Sequence, residues 1–279
     1  MPKTFLATDK DAISPKGWTT DVKVPGSLRR GDYVARFATS NADVVAAQRA
    51  RHTCFVQGAG RAPLPEGIEA DRFDEICHHV LIEDGQGRLT CCYRVLVLDD
   101  GAQVSTSYSA QFYDLQALES YAAPMVELGR FCMVERRAGH DLAADGDVLR
   151  LAWGMLAAFV DARGAGMLFG CASFAGTDPA VYAQAFDLLA ARHLAPSARA
   201  PRVKSAEYVP YALHSNPVTD QRVAMVQMPA LLKTYLAMGG WVSDHAVIDR
   251  DMNTVHVFTG VEIADIPAAR AKALRAVAG

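Results

Sequence analysis

The stretch MVELGRFCMV, residues 125–134, decides how the rest of the chain is read. Its ends are apolar, as in a strand buried within a sheet. Glu127 and Arg130 interrupt it, with Gly129 between them. Burying an unpaired charge costs several kcal/mol, so a core strand carrying both signs needs a reason. Either the two charges form a surface pair, or the strand lines a polar site.

The segments around this stretch give it a sheet to belong to. Upstream, ICHHVLIED and RLTCCYRVLVL are β-rich runs about a GQG turn, a hairpin pattern. Before them, DYVARFA (32–38) alternates like a strand. Asn41 is placed to cap a helix over ADVVAAQRARHTCFV. Downstream, Asp147 opens a helical run with Val148, Leu151, Ala152, Met155 and Phe159 on one face, which Gly164 or Gly166 stops. MLFGCASF (167–174) reads as another strand. DPAVYAQAFDLLAARH reads as a helix capped by Asp178, with Pro179 at its first position. A hairpin followed by a β-α-β-α unit predicts an α/β (α+β) fold, a mixed central sheet flanked by helices.

Residues 1–30, with Pro15, Gly17, Pro25 and Gly26, read as an irregular arm. Residues 31–196 read as the core. Residues 197–279 read as a C-terminal extension packing on it, with a helix at PALLKTYLAMG, strands around WVSDHAVI and TVHVFTGVEI, and an Ala-rich terminal helix.

Composition narrows the function. The 279 residues are 51% hydrophobic and 21% charged with net charge −3, so nothing global points to nucleic acid. No window approaches ~18 uninterrupted apolar residues, and the first residues lack a signal-peptide core. Cys54, Cys77, Cys91, Cys92, Cys132 and Cys171 fall in apolar runs without a CxxC pair, so they read as reduced core thiols of a cytoplasmic protein. His78–His79 has no partner at metal-binding spacing, and no metal is expected.

Four charged clusters remain: Arg51 in the first helix, Asp71 and Asp74 in EADRFDEI, Arg94 in CCYRVLVL, and Glu127 with Arg130. Each alone reads as a cap, a solvated face or a surface pair. Together they are three acids and three bases over four consecutive elements. A pocket for a zwitterionic amino acid needs both signs, carboxylates for an ammonium and an arginine fork for a carboxylate. Cys171 in a strand reads as an inert buried thiol rather than a nucleophile, and GAGRAPLPEG does not join a strand to a helix as a dinucleotide fingerprint requires.

In order, RARHTCF, DRFDEI, CYRVLVL and VELGRFCM resemble the pattern of acyl-homoserine-lactone synthases. The chain resembles more closely the L-ornithine N-alpha-acyltransferases of ornithine-lipid synthesis. That resemblance runs from about Ala38 to Pro196, with GCASFAGTDP its most telling segment, and more loosely through PALLKTYLAMGGWVSDHAVIDRDMNT. It implies a GCN5-related N-acyltransferase fold and transfer of a 3-hydroxyacyl chain from acyl-carrier protein to the α-amine of L-ornithine, forming lyso-ornithine lipid. No cofactor is implied, because phosphopantetheine arrives on the carrier. The [RQ]-x-x-G-x-[GA] loop of coenzyme A-dependent relatives is missing from VERRAGHDLAADGDVLRLAW, which puts coenzyme A in doubt as donor.

The expected roles follow. Glu127 is the general base, Arg130 orients it, and Asp74 is the fallback base. Arg51, Asp71, Asp74 and Arg94 shape the site or bind the amino acid, and Phe55, Phe131, Ser173 and Asp178 bind substrate. Arg136 and Arg137 dock the carrier protein. The inner-membrane surface is met peripherally through Phe5, Leu6, Trp18, Arg29 and Arg30 of the arm and through PALLKTYLAMGGW. The competing readings are another acceptor such as glutamine, an acyl-homoserine-lactone synthase, and a non-catalytic carrier-protein or lipid-binding module.

Overall fold

In the computed structural model, the described residues are 26–134, 142–211 and 220–277. The first four strands form an antiparallel meander: β1 (Ser27–Arg30), β2 (Tyr33–Phe37), β3 (His78–Glu83) and β4 (Leu89–Leu98). The β3–β4 turn is tied by Asp84, which accepts from the Gln86 and Arg88 N–H groups at 3.0 and 2.9 Å. Helix α1 (Asn41–Arg51) links β2 to β3. Its cap is Ser40, one residue before the expected Asn41, because Ser40 and Asp43 exchange side-chain-to-backbone bonds in a capping box.

Short turns follow, with β5 (Tyr113–Asp114), before β6 (Met125–Met133) pairs antiparallel with β4. Helix α2 (Leu142–Ala162) begins at Leu142, ahead of Asp147, and Gly164 beyond its end takes φ 58°. β7 (Met167–Ala175) then runs parallel to β6. After a turn capped by Asp178 come α3 (Ala183–Arg192), β8 (Arg202–Val203, against β5), β9 (Tyr208–Pro210), α4 (Gln221–Gln227), α5 (Ala230–Ala237), β10 (Trp241–Val242), β11 (His245–Asp249), β12 (Thr254–Glu262) and α6 (Ala268–Arg275). The main sheet runs β1-β2-β3-β4-β6-β7-β12-β11-β9, with β10 on β12.

The expectation that residues 197–279 pack on a finished core is corrected. β12 pairs along all of β7, from Thr254↔Ala175 to Glu262↔Met167, so this segment supplies interior strands of the sheet. Its burial on both faces gives the reason: seven consecutive residues of β12 are buried, the signature of a central strand. On one face, Val148, Leu151, Met155 and Phe159 of α2 pack against Tyr93, Val95, Val126 and Leu128. On the other, Leu96, Leu98, Tyr113, Phe169 and Phe258 form a second cluster.

Two local features of β6 place the site. First, β6 and β7 pair only from Met125↔Met167 to Glu127↔Phe169 and then part. Gly170 sits at the fork, where a Cβ would overlap the Leu128 carbonyl oxygen. Second, the β4–β6 register passes from Cys92↔Cys132 to Arg94↔Gly129, leaving Arg130 and Phe131 opposite Tyr93 alone. That is a β-bulge, and Arg130 takes φ 53° within it.

Candidate active site

The bulge turns Arg130 toward the loop before β3, and there its charge is answered. Three arginines and three acids form a closed ring of alternating sign. Arg51 lies 2.6 Å from Asp74 and 2.6 Å from Glu69. Arg130 holds Glu69 at 3.0 Å and Asp71 at 2.9 Å. Arg94 closes the circle with Asp71 at 2.6 Å and Asp74 at 2.7 Å. Each acid bridges two arginines, and the Arg94–Asp71 fork is bidentate. Burial opposes the carboxylate charge of Asp71 and Asp74. Hydrogen bonds from Arg94 to Asp71, and from Arg51 to Asp74, outweigh it and hold both below the ordinary range. Every charge in the ring is paired, although Arg51 Nε and Glu69 Oε2 meet at 2.6 Å as an ion pair without hydrogen-bond geometry.

Glu127 belongs to a different environment. Its carboxylate, 4% exposed, accepts from the Tyr108 N–H (2.8 Å), the Ser109 N–H (2.7 Å) and the Ser109 hydroxyl (2.6 Å). Burial raises its pKa above the usual 4.5, while those three donors pull it back. Arg130 does not orient Glu127 by contact. Its guanidinium goes to Glu69 and Asp71 and lies 4.7 Å from the centre of the Tyr108 ring. The bulge leaves both side chains beside Tyr108 on the cavity side, but the guanidinium is taken up by Glu69 and Asp71.

Beyond the fork lies a mostly apolar cavity of about 560 Å³. Its walls are Phe55 and Gly58 after α1, Tyr108, residues 127–131 of β6, Cys171 and residues 173–176 at the end of β7, Leu231 of α5, and the β11–β12 turn with Asp249, Met252, Asn253, Thr254 and His256. Phe131 stacks on Tyr93 at 5.6 Å between ring centres. Cys171 Sγ lies 3.4 Å from Ser109 Oγ, and burial pushes its thiol up to about 12, far from a thiolate nucleophile.

The residues expected to bind or react are therefore divided. Glu127, Arg130, Phe55, Phe131 and Ser173 line the cavity. Arg51, Asp71, Asp74 and Arg94 are held in the ring and do not line the cavity, so of their two expected roles shaping the site stands and binding the amino acid is corrected, as is Asp74 as fallback base. Asp178 accepts from the Ala180 N–H at 3.0 Å as a cap and stands apart from the cavity. Arg136, Arg137, Phe5, Leu6 and Trp18 lie outside the described residues. Arg30 pairs with Asp147 at 2.6 Å. The reading of the residues missed Glu69, Tyr108, Ser109, Asp249 and His256. Glu69 stands two residues before Asp71 in EADRFDEI and was available as a third acid. Ser109 and its loop carry no periodic signal.

A mixed sheet whose parallel central pair forks beside a buried carboxylate, with an apolar cavity beyond, defines a GCN5-related N-acyltransferase. Residues 50–143 match the acetyltransferase (GNAT) domain family. The chain is 34% identical over 235 residues to the L-ornithine N(alpha)-acyltransferase of Rhodobacter capsulatus, covering 81% of this chain and 88% of that protein. It is 32% identical over 244 residues to that of Brucella abortus, covering 82% and 84%. The solved structure of FeeM, an N-acyl amino acid synthase from uncultured soil microbes, is a looser likeness, with TM-score 0.48 and 12% identity over 85% of this chain and 93% of that one. The chain belongs to the L-ornithine N(alpha)-acyltransferase family and is an N-acyltransferase.

Proposed function

We propose that this enzyme moves a 3-hydroxyacyl chain from acyl-carrier protein to the α-amine of L-ornithine, giving lyso-ornithine lipid. The observation that carries this reading is the position of Glu127, a buried carboxylate facing an apolar cavity at the fork of β6 and β7. In the reaction the amine nitrogen attacks the thioester carbonyl, the new C–N bond replaces the C–S bond, and the pantetheine sulfur leaves. The nitrogen must lose a proton, and Glu127 is the base we assign. Its raised pKa brings it nearer the operating pH, where general-base catalysis is most effective. The three donors from Tyr108 and Ser109 fix its orientation. We assign stabilisation of the oxyanion to backbone N–H groups of β6 beyond the fork. The apolar walls suit an acyl chain.

Among the described residues, no helix is long and apolar enough to cross a membrane. We assign a peripheral association with the inner-membrane surface, since the product must enter a bilayer. Arg136 and Arg137 remain our candidates for carrier docking, because carrier proteins are acidic and local basic groups speed their encounter.

The test sets purified protein with L-ornithine against three donors: 3-hydroxyacyl-carrier protein, the coenzyme A thioester and a short acyl-pantetheine. Thiol release and the mass of N-acylornithine are measured. The carrier protein should be much the best donor, and Arg136→Glu with Arg137→Glu should raise its KM while leaving acyl-pantetheine little affected. Equal efficiency with the coenzyme A thioester would overturn the donor assignment, and absence of N-acylornithine with every donor would overturn the acceptor.

A further inference from the structure

Among the described residues, two buried polar groups on the cavity wall are only partly answered by the protein. Asp249 ends β11, is 7% exposed, and accepts one hydrogen bond, from the Met252 N–H at 2.9 Å. Among the described residues it has no ion pair, and Arg130, the arginine that shares the cavity, is committed to Glu69 and Asp71. His256 is 2% exposed, and its Nε2 is buried with no hydrogen-bond partner. The Tyr113 hydroxyl donates to the His256 carbonyl oxygen at 2.9 Å, so its 3.1 Å contact with Nδ1 is one in which Nδ1–H donates. Nε2 is then a bare acceptor. Burial keeps the ring neutral, its pKa lowered to about 3.

Register places these two acceptors together. Asp249 pairs with Thr254 and Val247 with His256, so Asp249 and His256 are diagonal neighbours on one face of the sheet. Such neighbours lie roughly 7–8 Å apart between Cα atoms, within reach of a common small group. A carboxylate with no cationic partner among the described residues and a neutral imidazole acceptor suit a ligand that is positive and rich in N–H groups. A primary ammonium, with three donors, fits both. A hydroxyl on the acyl chain would leave the Asp249 charge unmatched, and an uncompensated buried charge is costly.

We propose that Asp249 and His256 form the subsite for a terminal primary ammonium on the acceptor's side chain, and so select a diamino acid. The assignment rests on the acyl transfer proposed above and adds the determinant of acceptor choice. Glu127 serves the reacting amine, and Asp249 the one that does not react.

The test uses the full chain and two acceptors of the same skeleton, L-ornithine and L-2-aminopentanoic acid, which lacks only the terminal amine. Binding is measured by calorimetry and turnover by thiol release, for the wild type, Asp249→Asn and His256→Phe, with thermal unfolding as the check on folding. The wild type should bind ornithine at least 10-fold more tightly than 2-aminopentanoic acid. Asp249→Asn should bring that ratio close to one, through KM rather than kcat, and His256→Phe should reduce it severalfold. Equal binding of the two acceptors by the wild type, or an unchanged ratio in Asp249→Asn, overturns the subsite. If the binding preference holds but neither acceptor is acylated, the subsite stands and the proposed reaction falls.

Discussion

Replacing Asp74 by asparagine opens the ring, and the structure fixes what is lost. The Asp74 carboxylate, its side chain 5% exposed, accepts from Arg51 at 2.7 and 2.6 Å, from Arg94 at 2.7 Å and from Gln48 at 3.0 Å. The amide keeps one acceptor and turns a donor toward groups that only donate. The ring then holds three arginines and two acids. Removing one partner from a buried ion network costs about 3–5 kcal/mol. At roughly 2–4 °C per kcal/mol for a domain near this size, that is a fall in Tm of about 6–20 °C. Arg275→Ala, which breaks the exposed pair with Asp161 (side chains 52% and 41% exposed), is the control, with an expected cost of ~0.2–1 kcal/mol. The pH dependence has a definite sign. The folded pKa values of Asp71 and Asp74 are depressed, so their contribution is complete above the unfolded value near 3.9. It is lost as pH falls from there through the folded values. Thermal melts at pH 7 and pH 3 measure both effects. A Tm shift no larger than that of the control, or one unchanged between the two pH values, would refute the ring as a structural element.

Glu127→Gln should lower kcat by about 10²–10⁴-fold, with modest destabilisation because its amide would face the Tyr108 N–H. In the wild type, the acid limb of the kcat–pH profile should lie above the ordinary glutamate range, since the pKa is raised, and the variant should lose it. Near-wild-type turnover would remove Glu127 as the base. Gly170→Ala should destabilise the protein by about 1–3 kcal/mol by forcing a Cβ onto the Leu128 carbonyl, read by chemical denaturation. A neutral result would mean the fork is wider in solution.

The strands about residues 125–134 were legible because each is a short, apolar, β-rich run with a clear turn signal. The α2 face was legible from its period: Val148, Leu151, Met155 and Phe159 all lie in the core. The ring was half legible. All three arginines and two of its acids stood out, but pairing is set by the bulge at Arg130, which no local pattern announces. Glu127 was counted as the third acid where Glu69 belonged. Ser109 and Tyr108 sit in irregular turns whose geometry depends on the sheet beneath them. Asp249 and His256 were invisible as site residues because residues 197–279 were read as an addition to the sheet rather than as its interior.

The placement of β12 also orders events in time. Its residues lie some eighty positions after the end of β7, the strand they flank throughout. During synthesis at roughly 5–20 residues per second, β7 therefore waits several seconds as an open edge of the nascent sheet, with its backbone groups available to other chains. The wall that carries Asp249 and His256 does not exist in that interval, so a ribosome-bound intermediate can hold Glu127 and its loop without a finished cavity. The long separation between paired strands also makes this pairing a slow step of refolding.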